Sequence, residues 1–535
     1  MPIEVNFPGV YEQLSSGQHT IAPVGTSIAA FVGRALFGPT DRPSAVFSFM
    51  DFVSHYGGLQ FDYPLSYAVQ DFFANGGSQA IIARLFEPND GDGVARLKFP
   101  GLSPQLILCA ANPGEWGNGL SAQVDTRGIS DATSKLLGEY DLTAIDLFNL
   151  TLTLTNARGQ TLKSERFVNV AVKQTGNAAH YPNRLDQVLA SQSNLARVAA
   201  LSPVPPADGA TAVCVGGNNG TYLEPGTYIG DPDEKTGMYM LEHVQAFNLL
   251  CIPPDHRILP AVPDANQDLP ISVRRAAAHY CTDRRAFFIV DPPVDWINKA
   301  KQGQLSAIDP DAVGISGNNA SGIEVARNAA VYFPRVIKPD LMSEAQPAIF
   351  PPCGIVAGIM AATDVRGGVW KAPAGIDAEL AGVSGLELNL TDNENGLLNQ
   401  LGINCLRNFP IIGPVVWGTR TMQGADRLDD DYKYVPVRRL ALFIEDSVFQ
   451  GTKWAVFEPN DEALWSSLRL MVSSFLAGLS QQGAFYNYSV ACDATTTTPT
   501  DIALGKVNIL VQIAPVKPAE FVVIQIQQTA GSTPS

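Results

Sequence analysis

Six histidines and seven cysteines are the side chains of this 535-residue chain best suited to chemistry. A nucleophilic site needs a thiol, hydroxyl or amine beside a base, and a zinc site needs clustered His, Cys or carboxylate ligands. His279 and Cys281 come nearest to a thiol–imidazole pair. They lie in RRAAAHYCTDRRAFFIV, which reads as a helix passing into a buried strand, so core packing is the expected role of Cys281. There is no HExxH, no G-x-S-x-G and no P-loop. TDNENG at 391–396 starts like a calcium loop, but its twelfth position is Ile403 instead of Glu. A helix N-terminus capped by Thr391 or Asp392 is expected there. The run Asp429-Asp430-Asp431 reads as a solvated loop, and GGNNG at 216–220 as a turn. No cofactor, no metal and no enzymatic activity are expected.

The elements that would have to position a site are clearer than any site. TSIAAFVG at 26–33 and QAIIARL at 79–85 read as buried strands. Between them, SFMDFVSHYGG and LSYAVQDFFANGG read as helices stopped by glycine. Residues 95–200 hold short β-patterned runs, among them FNLTLTLTN at 148–156. In residues 210–380, YMLEHVQAFNLLCIPP and RRAAAHYCTDRRAFFIVDPP each read as a helix followed by a buried strand, the pattern of a parallel sheet covered on both faces. NGLLNQLGINCLRNFPIIGPVVW gives a helix, a turn and a strand. Farther on, Leu464, Leu468, Met471, Val472, Phe475 and Leu479 form one apolar stripe at helical spacing. At the end, Val507, Ile509, Val511 and Ile513 alternate with Asn508, Leu510 and Gln512, and Val522, Ile524 and Ile526 alternate beyond a Pro-rich connector. An apolar terminal strand needs a sheet to join, in this molecule or in another.

Composition narrows the function classes. A chain of 535 residues is too long for one core. A formal net charge of −16 and the lack of any Lys/Arg-rich run argue against nucleic acid as a partner. The cysteines form no CxxC pair and their count is odd, which suits reduced, buried thiols in a cytosolic chain. The start, MPIEVNFPGVYEQ, lacks the pattern of a signal peptide, and no uninterrupted apolar run reaches the length of a membrane span, so no direct membrane insertion is expected.

Motifs spread from Pro8 to Gln527 resemble, in order, those of contractile tail sheath proteins. They include PVGTSIAAFVGRALFGPTDRP, YPLSYAVQDFFANGGSQAIIARL, ANPGEWGNGLSAQV and PPCGIVAGIMAATDVRGGVWKAPAG. GINCLRNFPIIGPVVWGTRTM, YVPVRRLALFIEDSV, KWAVFEPNDEALW and CDATTTTPTDIALGKVNILVQIAPVKPAEFVVIQI follow. The resemblance implies an α/β multidomain fold: a subtilisin-like α/β middle domain without protease chemistry, an inserted β-sandwich or barrel domain, and a C-terminal α+β domain with extended N- and C-terminal arms. The expected divisions are an arm at 1–20, an α/β segment packing with the core at 21–92, the β-rich insertion at 93–204, the middle domain at 205–381, the C-terminal domain facing an inner tube at 382–514, and a second arm at 515–535.

The same resemblance implies a helical homo-oligomer of stacked rings around an inner tube protein, with baseplate and terminator or cap proteins as further partners. Assembly is expected in the bacterial cytoplasm, ahead of incorporation into a phage tail, a bacteriocin or a phage-like injection particle. A baseplate protein of such a particle is the alternative, and an α/β hydrolase a more distant one. Ile3, Val5, Phe7 and Tyr11 are the expected inter-subunit contacts of the first arm, and Phe521, Val522, Val523, Ile524 and Ile526 those of the second, with Pro515 and Pro518 as the hinge. An extended arm of about 15 residues spans roughly 50 Å, so reach does not limit the exchange. Lys453, Glu458, Asp461, Glu462 and Arg469, on or near the polar face of the 461–479 helix, are the expected inner-tube contacts.

Overall fold

The computed structural model describes residues 19–129, 137–156, 158–257, 267–315, 317 and 320–521. Its centre is an eight-stranded sheet in the order Gly413–Val416, Asn404–Phe409, Ala329–Phe333, Phe287–Val290, Leu249–Cys251, Ala29–Gly33, Ala80–Arg84, Ser44–Val46. The inner strands run parallel, and the two edge strands are antiparallel. Parallel strands bury both faces, which is why AAFVG and FFIV show no polar alternation. Ala30 and Val32 point into one core with the Ile271–Asp283 helix, while Ala29 and Phe31 point into the other with Pro64–Ala74 and Cys353–Gly367. Both sides of residue 382 contribute, since Asn404–Phe409 pairs with Ala329–Phe333.

The helices start and stop where their sequences say they should. Ser48 caps Phe49–Tyr56, and Gly57 closes it with a left-handed φ of 92°. Thr391 and Glu394 form a capping box on Asp392–Gln400. The expected helix in YMLEHVQAF is a 3-10 turn, Gly237–His243, whose Met238, Met240 and Leu241 still reach the core. Asp430 is not solvated: it accepts from Arg327 at 2.8 Å and its side chain is only 7% exposed.

Two core helices cross at glycines. A Cβ at Gly354 would sit 2.2 Å from the carbonyl oxygen of Ala68, and one at Gly358 would sit 2.6 Å from that of Phe72. Backbone cannot yield as a side-chain tip can. Gly354→Val is therefore expected to destabilise the chain by about 3 kcal/mol, read as a lower denaturation midpoint, with an equal substitution at Gly396, where an added Cβ meets nothing within 4 Å, as the control. No loss at Gly354 would contradict the crossing.

Residues 94–215 build a separate β-rich core. Thr211–Val213, Leu120–Asp125, Leu147–Thr155 and Thr161–Ala171 form a four-stranded antiparallel sheet, and Arg96–Lys98, Ile107–Ala110 and Ala196–Ala200 a three-stranded one. Leu97, Leu108, Leu120, Phe148, Leu150 and Leu152 are buried between them.

Candidate assembly site

Cys281 packs in the core as its sequence context suggests: it is fully buried, His279 is exposed on the other side of the same helix, and burial pushes the thiol well above the usual range. The strand order reverses between Ala29–Gly33 and Leu249–Cys251, the place where open α/β sheets bind ligands. Here that crevice holds an ion pair, Arg34 Nε donating to Asp255 Oδ1 at 2.7 Å, and Tyr63 and Tyr222 stack on the guanidinium. A cavity of about 500 Å3 lies beside it, lined by Asp255, Asp268, Arg274 and Trp296. Among its described lining residues there is no Ser, Cys or Lys.

The two described ends of the chain instead converge on one small C-terminal unit. The Val435–Gly451 helix packs Leu440, Phe443 and Ile444 against Leu464, Leu468, Met471, Val472, Leu476 and Leu479 of the Glu462–Gln481 helix. The stripe read from sequence is thus the buried face, with Phe475 part-buried beside Phe443 at a ring distance of 6.0 Å. At 20 residues this helix is long and apolar enough to cross a bilayer by length and composition, and that stripe packs in the core.

On the same core lies a two-stranded sheet, Phe485–Ala491 paired antiparallel with Leu510–Pro515. The alternation predicted from Val507 to Ile513 is present: Val507, Ile509, Val511 and Ile513 pack on the core, while Leu510 and Gln512 are exposed. Leu510–Pro515 therefore pairs within its own chain. Among the described residues, neither strand has a partner along its outer edge. A hairpin with two open edges is weak alone and templates further strands.

Both ends of the described chain are fastened beside this hairpin. At the N-terminal side, His19 stacks on Trp454 at 4.0 Å and 9°, Ile21 is buried in the helical core, and Val24 N–H donates to Ser447 Oγ at 3.2 Å. A cavity of about 740 Å3 separates this segment from Leu470 and Ser474 of the second helix. At the C-terminal side, Arg420 is 1% exposed and donates to both carboxylate oxygens of Glu520, Nε to Oε1 at 2.7 Å and Nη2 to Oε2 at 2.6 Å. Its Nη1 serves the Asn399 carbonyl at 2.8 Å and Asp426 Oδ1 at 2.9 Å. Tyr434 donates to Glu520 Oε2 at 3.2 Å. Burial disfavours the Arg420 charge, but Glu520 and Asp426 outweigh it and hold its pKa above the ordinary value.

Ile3, Val5, Phe7, Tyr11, Val522, Val523, Ile524 and Ile526 lie outside the described residues. Phe521 is described and is 75% exposed. Pro515 closes the last strand opposite Phe485, and Pro518 is half-buried. Lys453, Glu458, Asp461 and Glu462 share one exposed stretch, from the loop after the first helix to the start of the second. Asp461 is also a cap, accepting from Leu464 N–H at 3.0 Å. Arg469 is half-buried and donates to the Cys492 carbonyl at 2.6 Å, so it serves the fold as well as the surface. Sequence reading missed Phe457, which stands 102% exposed at a left-handed φ of 72° beside exposed Val456. An aromatic inside the otherwise polar FEPND segment was the available signal. It also missed the Arg420–Glu520 pair, which no local pattern encodes.

Residues 232–422 match the family model described as the phage tail sheath protein central domain, and residues 428–529 the one described as the phage tail sheath C-terminal domain. Together they take in more than half of the chain. The chain belongs to the phage tail sheath family. This is a family of structural sheath proteins. It is 28% identical over 181 residues to a tail sheath protein of Vibrio phage KVP40, covering 34% of this chain and 26% of that one. It is 27% identical over 176 residues to a prophage major tail sheath protein of Pseudomonas aeruginosa, covering 32% and 44%. The alignments thus span from a quarter to under half of these relatives' lengths. Among solved structures, a chain of the anti-feeding prophage baseplate shares the fold at a TM-score of 0.54 and 22% identity, covering 98% of the sheath chain and 100% of that one. A sheath tail protein from Listeria innocua does so at 0.56 and 12%, covering 93% and 97%.

Proposed function

We propose that this chain is the subunit of a contractile sheath, polymerising helically around an inner tube and shortening to drive that tube through a target envelope. The observation that carries the reading is the two-edged hairpin Phe485–Ala491/Leu510–Pro515, with both chain ends rooted beside it. Arms reaching from neighbouring copies add strands to its open edges. Main-chain hydrogen bonds give the strength of that contact, and alternating side chains its register. A head-to-tail contact of this kind that does not close generates a helix. Contraction is then a change of packing between bodies that the arms keep connected, in a phage tail, a bacteriocin or an injection particle assembled in the cytoplasm. The eight-stranded unit is the counterpart of the subtilisin-like middle domain, and residues 94–215 that of the inserted β-sandwich or barrel.

Electron microscopy of the purified chain tests this directly. Striated tubes or cogwheel-like cylinders are expected, whereas rings or discs without stacking would favour a baseplate role. On the reading that the 453–462 stretch faces the tube, Glu458→Lys with Glu462→Lys is expected to lower assembly on tubes about tenfold, roughly 1.4 kcal/mol. Asp461 is left intact in that variant because its carboxylate caps the helix. Unchanged co-sedimentation with tubes would remove this surface from the interface.

A further inference from the structure

The arm-exchange reading leaves open what decides where an arm starts. Prolines at 515 and 518 suggest a hinge at those positions, but the chain does not leave the body there. After Pro515, the Val516 N–H reaches back to the Ala484 carbonyl at 3.5 Å, and Pro518 stays half-buried. Glu520 is then seized by both arms of the Arg420 fork, and Tyr434 joins them. Phe521, the next residue, is exposed.

We propose that Arg420 and Glu520 are positioning residues for assembly: they pin the root of the C-terminal arm to the body and so set the point and direction from which the arm crosses to a second copy. The geometry is suited to the task. Bidentate pairing fixes an orientation as well as a distance. Arg420 cannot swing, because it is 1% exposed and its remaining donors hold Asn399 and Asp426. Glu520 is also barely solvated, at 13% side-chain exposure, so water competes little for it. Neither residue needs to touch the neighbouring subunit. A strand that must enter a hairpin edge in one register gains from a fixed origin, because a slip of one residue turns its apolar face outward.

The inference rests on the strand-exchange reading, and three variants of the full chain separate the two. Glu520→Ala and Glu520→Gln are compared with a chain cut after Glu520. Amide hydrogen exchange, thermal unfolding and sedimentation of assembled particles are measured for each. In both Glu520 variants, exchange protection is expected to fall at Val516, whose N–H reaches the Ala484 carbonyl, and stay unchanged at 485–491, with at least a tenfold loss of assembled mass. Asp426 still faces Arg420 in these variants, so the buried guanidinium keeps one carboxylate. If Glu520→Ala does not melt cooperatively, Glu520→Gln decides. Wild-type assembly by a folded Glu520 variant overturns the proposal, as does loss of protection throughout the hairpin, which would make the pair a general fold support. Assembly by the truncated chain would instead overturn strand exchange itself.

Discussion

A chain ending at Glu520 is expected to fold, melt as the full chain does, and remain monomeric. Everything that shapes the C-terminal unit is retained: the two packed helices, the Phe485–Ala491/Leu510–Pro515 hairpin and the Arg420–Glu520 pair. On the proposed reading, what is lost is the segment that adds a strand to a neighbour. About six added main-chain hydrogen bonds at about 1 kcal/mol each amount to roughly 6 kcal/mol, or about ten-thousandfold in association. Sedimentation and electron microscopy at matched concentration should show no tubes where the full chain forms them. Sheaths from the truncated chain would exclude the C-terminal arm from the contact.

Asp291→Asn is expected to stabilise the chain at neutral pH. Asp291 sits at the end of the Phe287–Val290 strand and accepts from Cys353 N–H at 2.9 Å, while its second oxygen is buried without a partner. Burial pushes its pKa from 3.8 up to about 6, against the lowering effects of the Cys353 hydrogen bonds and the charges of Arg335 and Arg274. The folded state therefore holds this proton more tightly than the unfolded chain does. The associated stability is complete below about pH 4 and is lost as pH rises through 6, a change of roughly 3 kcal/mol. The amide keeps the acceptor for Cys353 and carries no charge, so a gain of about 2 kcal/mol is expected at pH 7.5 and almost none at pH 4.5. Denaturant titrations at the two pH values check this; equal stability of variant and wild type at pH 7.5 would contradict it.

What could be read from sequence was local. AAFVG and FFIV announce strands buried on both faces because neither carries a polar alternation to offer solvent. Gly57 and Thr391 mark helix ends because a left-handed residue and a capping box are short-range chemistry. The alternation from Val507 to Ile513 gives the hairpin its inward face, but it could not name Phe485–Ala491 as the partner, since pairing depends on how the intervening chain folds. Arg420 and Glu520 are 100 positions apart and each lies among unremarkable neighbours. Asp430 illustrates the same limit: a run of three aspartates looks solvated until Arg327 is folded against it. Exposed Phe457 escaped because an aromatic is normally assigned to a core, and only the fold shows which side it faces.

The two fastening points of the chain ends lie on either side of one helix. Tyr434, which donates to Glu520, is the N-cap of Val435–Gly451, and Trp454, which receives His19, follows its last turn. A 17-residue helix is about 25 Å long. In a lattice linked through both termini, this helix is the strut between them. On the proposed strand-exchange reading, a pull entering at one fastening point reaches the other through this helix, whose Val435 and Leu442 also pack on the core of the eight-stranded sheet.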